Sequence, residues 1–345
     1  DLRLIMDLKL FTEMLDIDST SSKEAEFADF LECRLVTGKC SVERFDVGDG
    51  TANLLFSWGT PEIVFCTHMD TVPPYIPPVT ETAGDGDIVI KGRGSCDAKG
   101  QIFSMYSACL ELEKEGCRGF GLLLLSGEET GSFGAKHFSK SHPGGKYVIV
   151  GEPTDNMMTS ASKGTKAFEV TIKGESCHSG YPQYGKSAVI KFVEFVNRLN
   201  DTDFADDPIL GETTWNIGKL ESGNPQNILS GHLVFRIYFR TTFSSDRQVC
   251  EYMESQRSKD IEIKSFGGDT PSSYLTLDGF ETGTVAFGSD APQLNNFKEK
   301  ILYGPGSILV AHTDSEQIKM SEIETARNNY IRIFHLLSNK ERTTI

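Results

Sequence analysis

IVFCTHMD, residues 63–70, is an apolar run that stops on an imidazole and a carboxylate, His68 and Asp70. A short run of β-branched and aromatic residues reads as a buried strand. The same arrangement recurs along the chain. GLLLLSG (121–127) runs into Glu128 and Glu129, YVIVG (147–151) into Glu152, and SILVA (307–311) into His312. Asp97 lies in GRGSCDAKG (92–100), directly before a helical pattern. In open α/β sheets, ligand sites form in the crevice beyond the carboxyl ends of the strands. Bare carboxylates gathered at one such edge repel each other. A pair of divalent cations removes that conflict, and mixed imidazole and carboxylate donors suit zinc, with cobalt and manganese as alternatives.

Outward from that stretch, residues 4–15 have helical spacing, and Ser19 to Ser22 resembles a helix start, with Glu24 in the first turn. Strands at 53–56, 63–67, 121–126 and 147–150 alternate with helical patterns such as 101–115. This predicts an α/β domain with a central mixed sheet flanked by helices. The middle reads differently. A strand at 167–173, a helix at 187–199, strands at 214–220 and 233–241, a helix at 246–258 and a strand at 261–266 give the order β-α-β-β-α-β of a ferredoxin-like unit. The α/β pattern resumes at 301–302, 308–310 and 321–337. The expected organisation is a catalytic domain built from 1–163 and 268–345, with an inserted α+β domain at 164–267.

At 345 residues the chain accommodates two domains. Its formal net charge of −15 argues against nucleic acid or an anionic membrane surface as a partner. Eight cysteines without a C-x-x-C pair point to a reducing, cytoplasmic setting. The opening DLRLIMDLKLFTEML lacks a basic region followed by an apolar core, so no signal peptide is expected there. No run reaches the roughly 20 apolar residues of a membrane span.

Glu128 and Glu129 are neighbours and cannot point the same way from an extended strand. One can ligate a metal while the other faces the attacking water, the division that metal-assisted hydrolysis needs. Asp70 is placed to accept the second N–H of a ligating His68. By contrast, His137, His142, His232 and His335 have no ligand-like context, and Cys96 and Cys177 read as packing residues.

THMDTVP (67–73), GRGSCDAKG (92–100), SGEETGSFGA (126–135), VGEPTD (150–155), GESCHSGYP (174–182) and AHTDSEQI (311–318) together resemble the M20 metallopeptidases, in matching order. The resemblance implies that His68, Asp97 and Glu152 hold one zinc and Asp97, Glu129 and His312 the other. Glu128 would be the general base on a water shared by the two metals, and Asp70 the partner of His68. It also implies a cis peptide at Asp97–Ala98. The inserted unit would be a lid and dimerisation domain, with His178 stabilising the oxyanion, in trans across a homodimer. Asn227 and Arg240 would meet the substrate carboxylate. The implied activity is cleavage of the amide bond of an N-acyl amino acid, in the manner of the amino-acid-biosynthetic deacetylases and desuccinylases. The alternatives are a dipeptidase, tripeptidase or carboxypeptidase acting on short peptides, and, from another class, an inactive ligand-binding homologue.

Overall fold

The computed structural model describes residues 7–48 and 50–342. The chain divides into two compact units. The first takes the chain up to Ser160, then Tyr274–Gly283, and everything from Ser289 onward. The second takes Ala161–Ser273 with Thr284–Gly288.

The first unit is organised on a six-stranded mixed sheet. Its spatial order runs Ser41–Gly48, Thr51–Trp58, Phe120–Leu125, Ile63–His68, Gly145–Val150, Phe297–Leu302. Ile63–His68 lies in the middle, parallel to both Phe120–Leu125 and Gly145–Val150. Alternate side chains such as Leu54, Phe56, Phe65, Leu122, Leu124 and Ile149 join one buried cluster with helices Leu8–Leu15, Glu24–Arg34, Lys99–Lys114 and Met320–Arg342. The intervening Leu55, Val64, Cys66, Leu123 and Val148 are buried as well. Burial on both faces explains why these strands read as continuous apolar runs rather than as alternation.

The second unit is the ferredoxin-like element. Its sheet order is Thr214–Glu221, His232–Thr241, Gly164–Lys173, Ile261–Gly267, all antiparallel. Phe168, Val170, Phe235, Ile237 and Phe239 pack with Phe195, Leu199, Val249 and Met253 of helices Ala188–Asn200 and Asp246–Ser255. Here one face is covered by helices, and the strands alternate accordingly.

Two expectations are corrected. Residues 308–310 form a turn, not a strand. Gly304, Pro305 and Gly306 end the preceding strand, and Leu309 is left 84% exposed, so this apolar triplet packs in no sheet. Helix 246–258 ends at Ser255. The first helix is described from Leu8, and residues 4–6 of the expected helix lie outside the described residues. The sequence reading also passed over strand Ser41–Gly48 and helix Phe133–Ser141.

Candidate active site and metal centre

Parallel strands end at the same edge, so the topology delivers the site residues together. His68 terminates the central strand. Glu128 and Glu129 follow the strand on one side of it, and Glu152 follows the strand on the other. Gly127 makes the first of these exits possible. Its φ is +70°, and a β-carbon there would sit 1.6 Å from the Phe133 ring. Glu128 and Glu129 then occupy a turn rather than an extended strand end. The turn brings one carboxylate oxygen of each to within 4.8 Å of the other and of a His68 ring nitrogen, so the divergence expected of an extended strand does not hold.

Asp97 is the centre of the cluster. Its Oδ1 lies 3.1 Å from His68 Nε2 and its Oδ2 lies 3.3 Å from His312 Nε2. His312 Nε2 also meets Glu129 Oε1 at 2.9 Å. Three donor sets result: His68 with Asp97 and Glu152, Asp97 with Glu129 and His312, and His68 with Glu128 and Glu129. The ligand atoms of each set lie within 4.8 Å of one another. His68 Nδ1 donates to the Asp70 backbone carbonyl at 2.9 Å, with the Asp70 carboxylate farther away at 3.4 Å. That carboxylate accepts instead from the backbone N–H groups of Glu128 and Glu129, at 3.0 and 3.2 Å, and from the Ser21 hydroxyl. Asp70 thus ties the His68 strand end to the Glu128 turn.

The electrostatics fit cations. Burial works against a charged His68, yet hydrogen bonds to Asp70 and Asp97 win and hold its pKa well above the ordinary value. Hydrogen bonds to Asp97 and Glu129 push His312 up to about 10. Burial, with the negative charge of Asp97 nearby, raises the carboxyls of Glu128 and Glu152 well above the usual range. Protons therefore crowd into the cluster where divalent ions would otherwise supply positive charge. Glu152 Oε1 is buried without a hydrogen-bond partner, as suits an oxygen reserved for a metal. On both counts the donors suit a pair of divalent metal ions.

The loop holding Asp97 is itself held by a residue that sequence reasoning missed. Glu316 Oε1 accepts from the backbone N–H groups of Gly94, Cys96 and Asp97, at 3.0, 3.1 and 3.0 Å. Its Oε2 pairs with the Arg93 guanidinium at 2.7 Å, and both side chains are about 1% exposed. The Asp97–Ala98 peptide is cis. Two further buried acids were also missed. Glu24 lies close enough to Asp70 to feel its charge, and burial raises its carboxyl. Burial pushes the Asp290 carboxyl up to about 7, against the opposing pull of a charged His68. Neither oxygen of Asp290 has a well-formed hydrogen bond. Glu316 stands four positions after His312 in AHTDSEQI, and that spacing was an available signal. Asp290, in GSDAP, offers none.

Three expected residues belong to the second unit. A backbone bridge joins His178 to Ile228, and Ser179 N–H donates to the Asn227 carbonyl at 2.9 Å, so His178 and Asn227 sit on adjoining segments. His178 Nδ1 accepts from Gly180 N–H at 3.1 Å. A neutral ring in that role carries its proton on Nε2. His178 and Asn227 are exposed, and Arg240 is half-buried with its guanidinium 4.9 Å from the Tyr238 ring centroid. No carboxylate lies in salt-bridge range of Arg240 among the described residues.

Two donor triads hinged on one carboxylate are what a two-metal hydrolase requires, and that is the class this fold and site define. Comparison with known proteins specifies it further. Residues 160–260 match a family profile described as the peptidase dimerisation domain. A peptidase M20 domain-containing protein of Schizosaccharomyces pombe is 33% identical over 94% of this chain and 83% of its own length. A protein of Aspergillus flavus described as a probable carboxypeptidase is 34% identical over 79% of this chain and 74% of its own. Among solved structures, a tripeptidase from Staphylococcus aureus superposes with a TM-score of 0.79 at 18% identity, covering 94% of this chain and 96% of that one. An M20 family metallo-carboxypeptidase from Sulfolobus solfataricus gives 0.72 at 16%, over 94% and 97%. The two structures speak to the fold. The chain belongs to the M20 peptidase family, hydrolases of peptide and other linear amide bonds that use two divalent metals, usually zinc.

Proposed function

We propose that the chain is a carboxypeptidase-type hydrolase that removes the C-terminal residue from short peptides, with the cluster at Asp97 as its catalytic centre. The observation that carries the reading is Arg240, a half-buried guanidinium with no carboxylate partner among the described residues. A planar guanidinium binds a carboxylate through two parallel bonds, so a free α-carboxylate is its natural complement. Asn227 positions the same group. Relatives at 32–34% identity that are described as probable carboxypeptidases support the peptide reading. An N-acyl amino acid presents the same amide beside a free carboxylate, and deacylation is therefore the second reading.

His68, Asp97 and Glu152 would hold one metal ion, and Asp97, Glu129 and His312 the other. The pair supplies Lewis acidity at the scissile carbonyl and a more acidic water. Glu128, which belongs to neither set, takes the proton of the attacking water and passes it to the departing amine. The Nε2 proton of His178 is the donor offered to the oxyanion, in trans from a second copy of the chain. Helix Ala188–Asn200 supports such a dimer. Val189, Ile190 and Val193 stand exposed on it, opposite the buried Phe195 and Leu199. The eight free thiols suit a cytoplasmic location. The deciding assay measures amine release, with added zinc or cobalt, from peptides with free or amidated C-termini and from N-acetyl and N-succinyl amino acids. Free-acid peptides should be the best substrates, and Arg240→Ala should abolish the preference for them over the amides. Equal cleavage of acids and amides by the unmodified chain overturns the reading, and cleavage of acyl amino acids alone selects deacylation.

A further inference from the structure

Outside the main cluster, the described residues contain one other set of metal-type donors, Glu115, Cys117 and His335, with ligand atoms within 4.8 Å of one another. They meet where helix Lys99–Lys114 ends against helix Met320–Arg342. The helix end is a rigid platform. Gly116 is left-handed at φ +78°, and its N–H donates to the Glu113 carbonyl at 3.1 Å, while Cys117 N–H reaches back to Leu112 at 2.9 Å. That pair of bonds is the Schellman closure, and it fixes the backbone of Glu115 and Cys117 on either side of the glycine. His335 arrives from the second helix, with its Nε2 2.8 Å from Glu115 Oε2. Cys117 Sγ lies 3.8 Å from the same oxygen.

We propose that Glu115, Cys117 and His335 bind a third, thiophilic divalent metal ion, zinc by preference, that clips the C-terminal end of the first helix to the second. Zinc takes nitrogen and oxygen ligands at about 2.0–2.2 Å and thiolate sulfur at about 2.3 Å, so ligand atoms of a tetrahedral ion stand roughly 3.3–3.7 Å apart. The sulfur–oxygen spacing already fits, and the nitrogen–oxygen pair needs to open by only about half an ångström. Imidazole, thiolate and carboxylate together favour zinc over magnesium or calcium. The three groups are exposed or half-buried, so an ion can enter and a water can complete the coordination. On binding, the Cys117 thiol gives its proton to solvent and the sulfur–metal bond forms, with no redox change. The main cluster contains no thiol ligand, and helix Lys99–Lys114 puts its two ends roughly 24 Å apart. The clip therefore acts on stability and not on turnover.

Cobalt separates the sites, because only thiolate coordination gives intense sulfur-to-cobalt absorption in the near ultraviolet. The full chain, titrated with cobalt, should take up three equivalents and show that band. Cys117→Ser and His335→Gln should each take up two, lose the band or most of it, and keep wild-type turnover. Uptake of two equivalents without the band by the unmodified chain overturns the proposal. So does a band that persists in Cys117→Ser. If the main cluster instead failed to bind, the band would remain while total uptake fell.

Discussion

Replacing Glu316 by glutamine keeps the shape of the side chain and its acceptor for the N–H groups of Gly94, Cys96 and Asp97. It turns an amide NH₂ toward the Arg93 guanidinium, which the carboxylate now meets at 2.7 Å in an almost fully buried setting. Removing one partner of a buried ion pair costs about 3–5 kcal/mol, because the remaining charge has neither partner nor water. In a body of this size each kcal/mol lowers Tm by about 2–4 °C, so Glu316→Gln should melt roughly 6–20 °C lower. The loop carrying Asp97 loosens at the same time, and both metal ions should bind more weakly. Calorimetry on the metal-free and zinc-loaded forms measures the two effects. Adding Arg93→Leu tests the cause. If the unpaired guanidinium is what destabilises, the double variant is less damaged than the two single losses added together. A Tm within about 2 °C of the unmodified chain, or strict additivity, would refute the reasoning.

Glu128→Gln should lose turnover by a factor on the order of 10²–10⁴ while retaining both metal ions at the main cluster, and loss of metal there would reassign Glu128 as a ligand. In the metal-free chain, His312 is raised to about 10 by Asp97 and Glu129, so its stabilising contribution is whole below about pH 6.5 and fades as pH rises through 10. The metal-free Tm should fall across that window and the zinc-loaded Tm should not, and a flat metal-free profile contradicts the pairing. Burial raises the Asp290 acid from 3.8 to about 7, so its ionisation opposes folding increasingly between those values. Asp290→Asn should therefore raise the urea midpoint of the metal-free chain at pH 8 and leave it nearly unchanged at pH 4.

Apolar runs ending on acids and histidines make the sheet and its edge legible in the sequence, because buried parallel strands need no alternation and chemistry collects at their carboxyl ends. His68 and Glu152 could be found that way. His312 was found for a partly wrong reason, since the apolar residues before it form an exposed turn. Its left-handed backbone, φ 62°, depends on local turn bonds that leave no periodic mark. The ferredoxin-like unit was readable in full order because only one of its sheet faces is covered. Strand Ser41–Gly48 was not, because it is an edge strand with no fully buried residue and carries no strong hydrophobic pattern. Glu316 and Asp290 escaped notice for a different reason. A buried acid's function depends on which distant N–H groups or charges surround it, and those partners lie about two hundred residues away in the chain.

The two ends of the inserted unit have a consequence for how the protein is made. Ala161 and Ser273 are paired in neighbouring antiparallel strands. A ribosome finishes the insert well before it reaches His312 and Glu316. Closing a flexible loop on the order of a hundred residues costs about 4 kcal/mol in chain entropy. An insert that folds as it emerges removes most of that cost, because it delivers its two exits side by side. The late C-terminal segment then joins a half-built sheet as though it followed after a short turn. Synthesis order and topology cooperate: the later segment is recruited by a neighbour that has already folded.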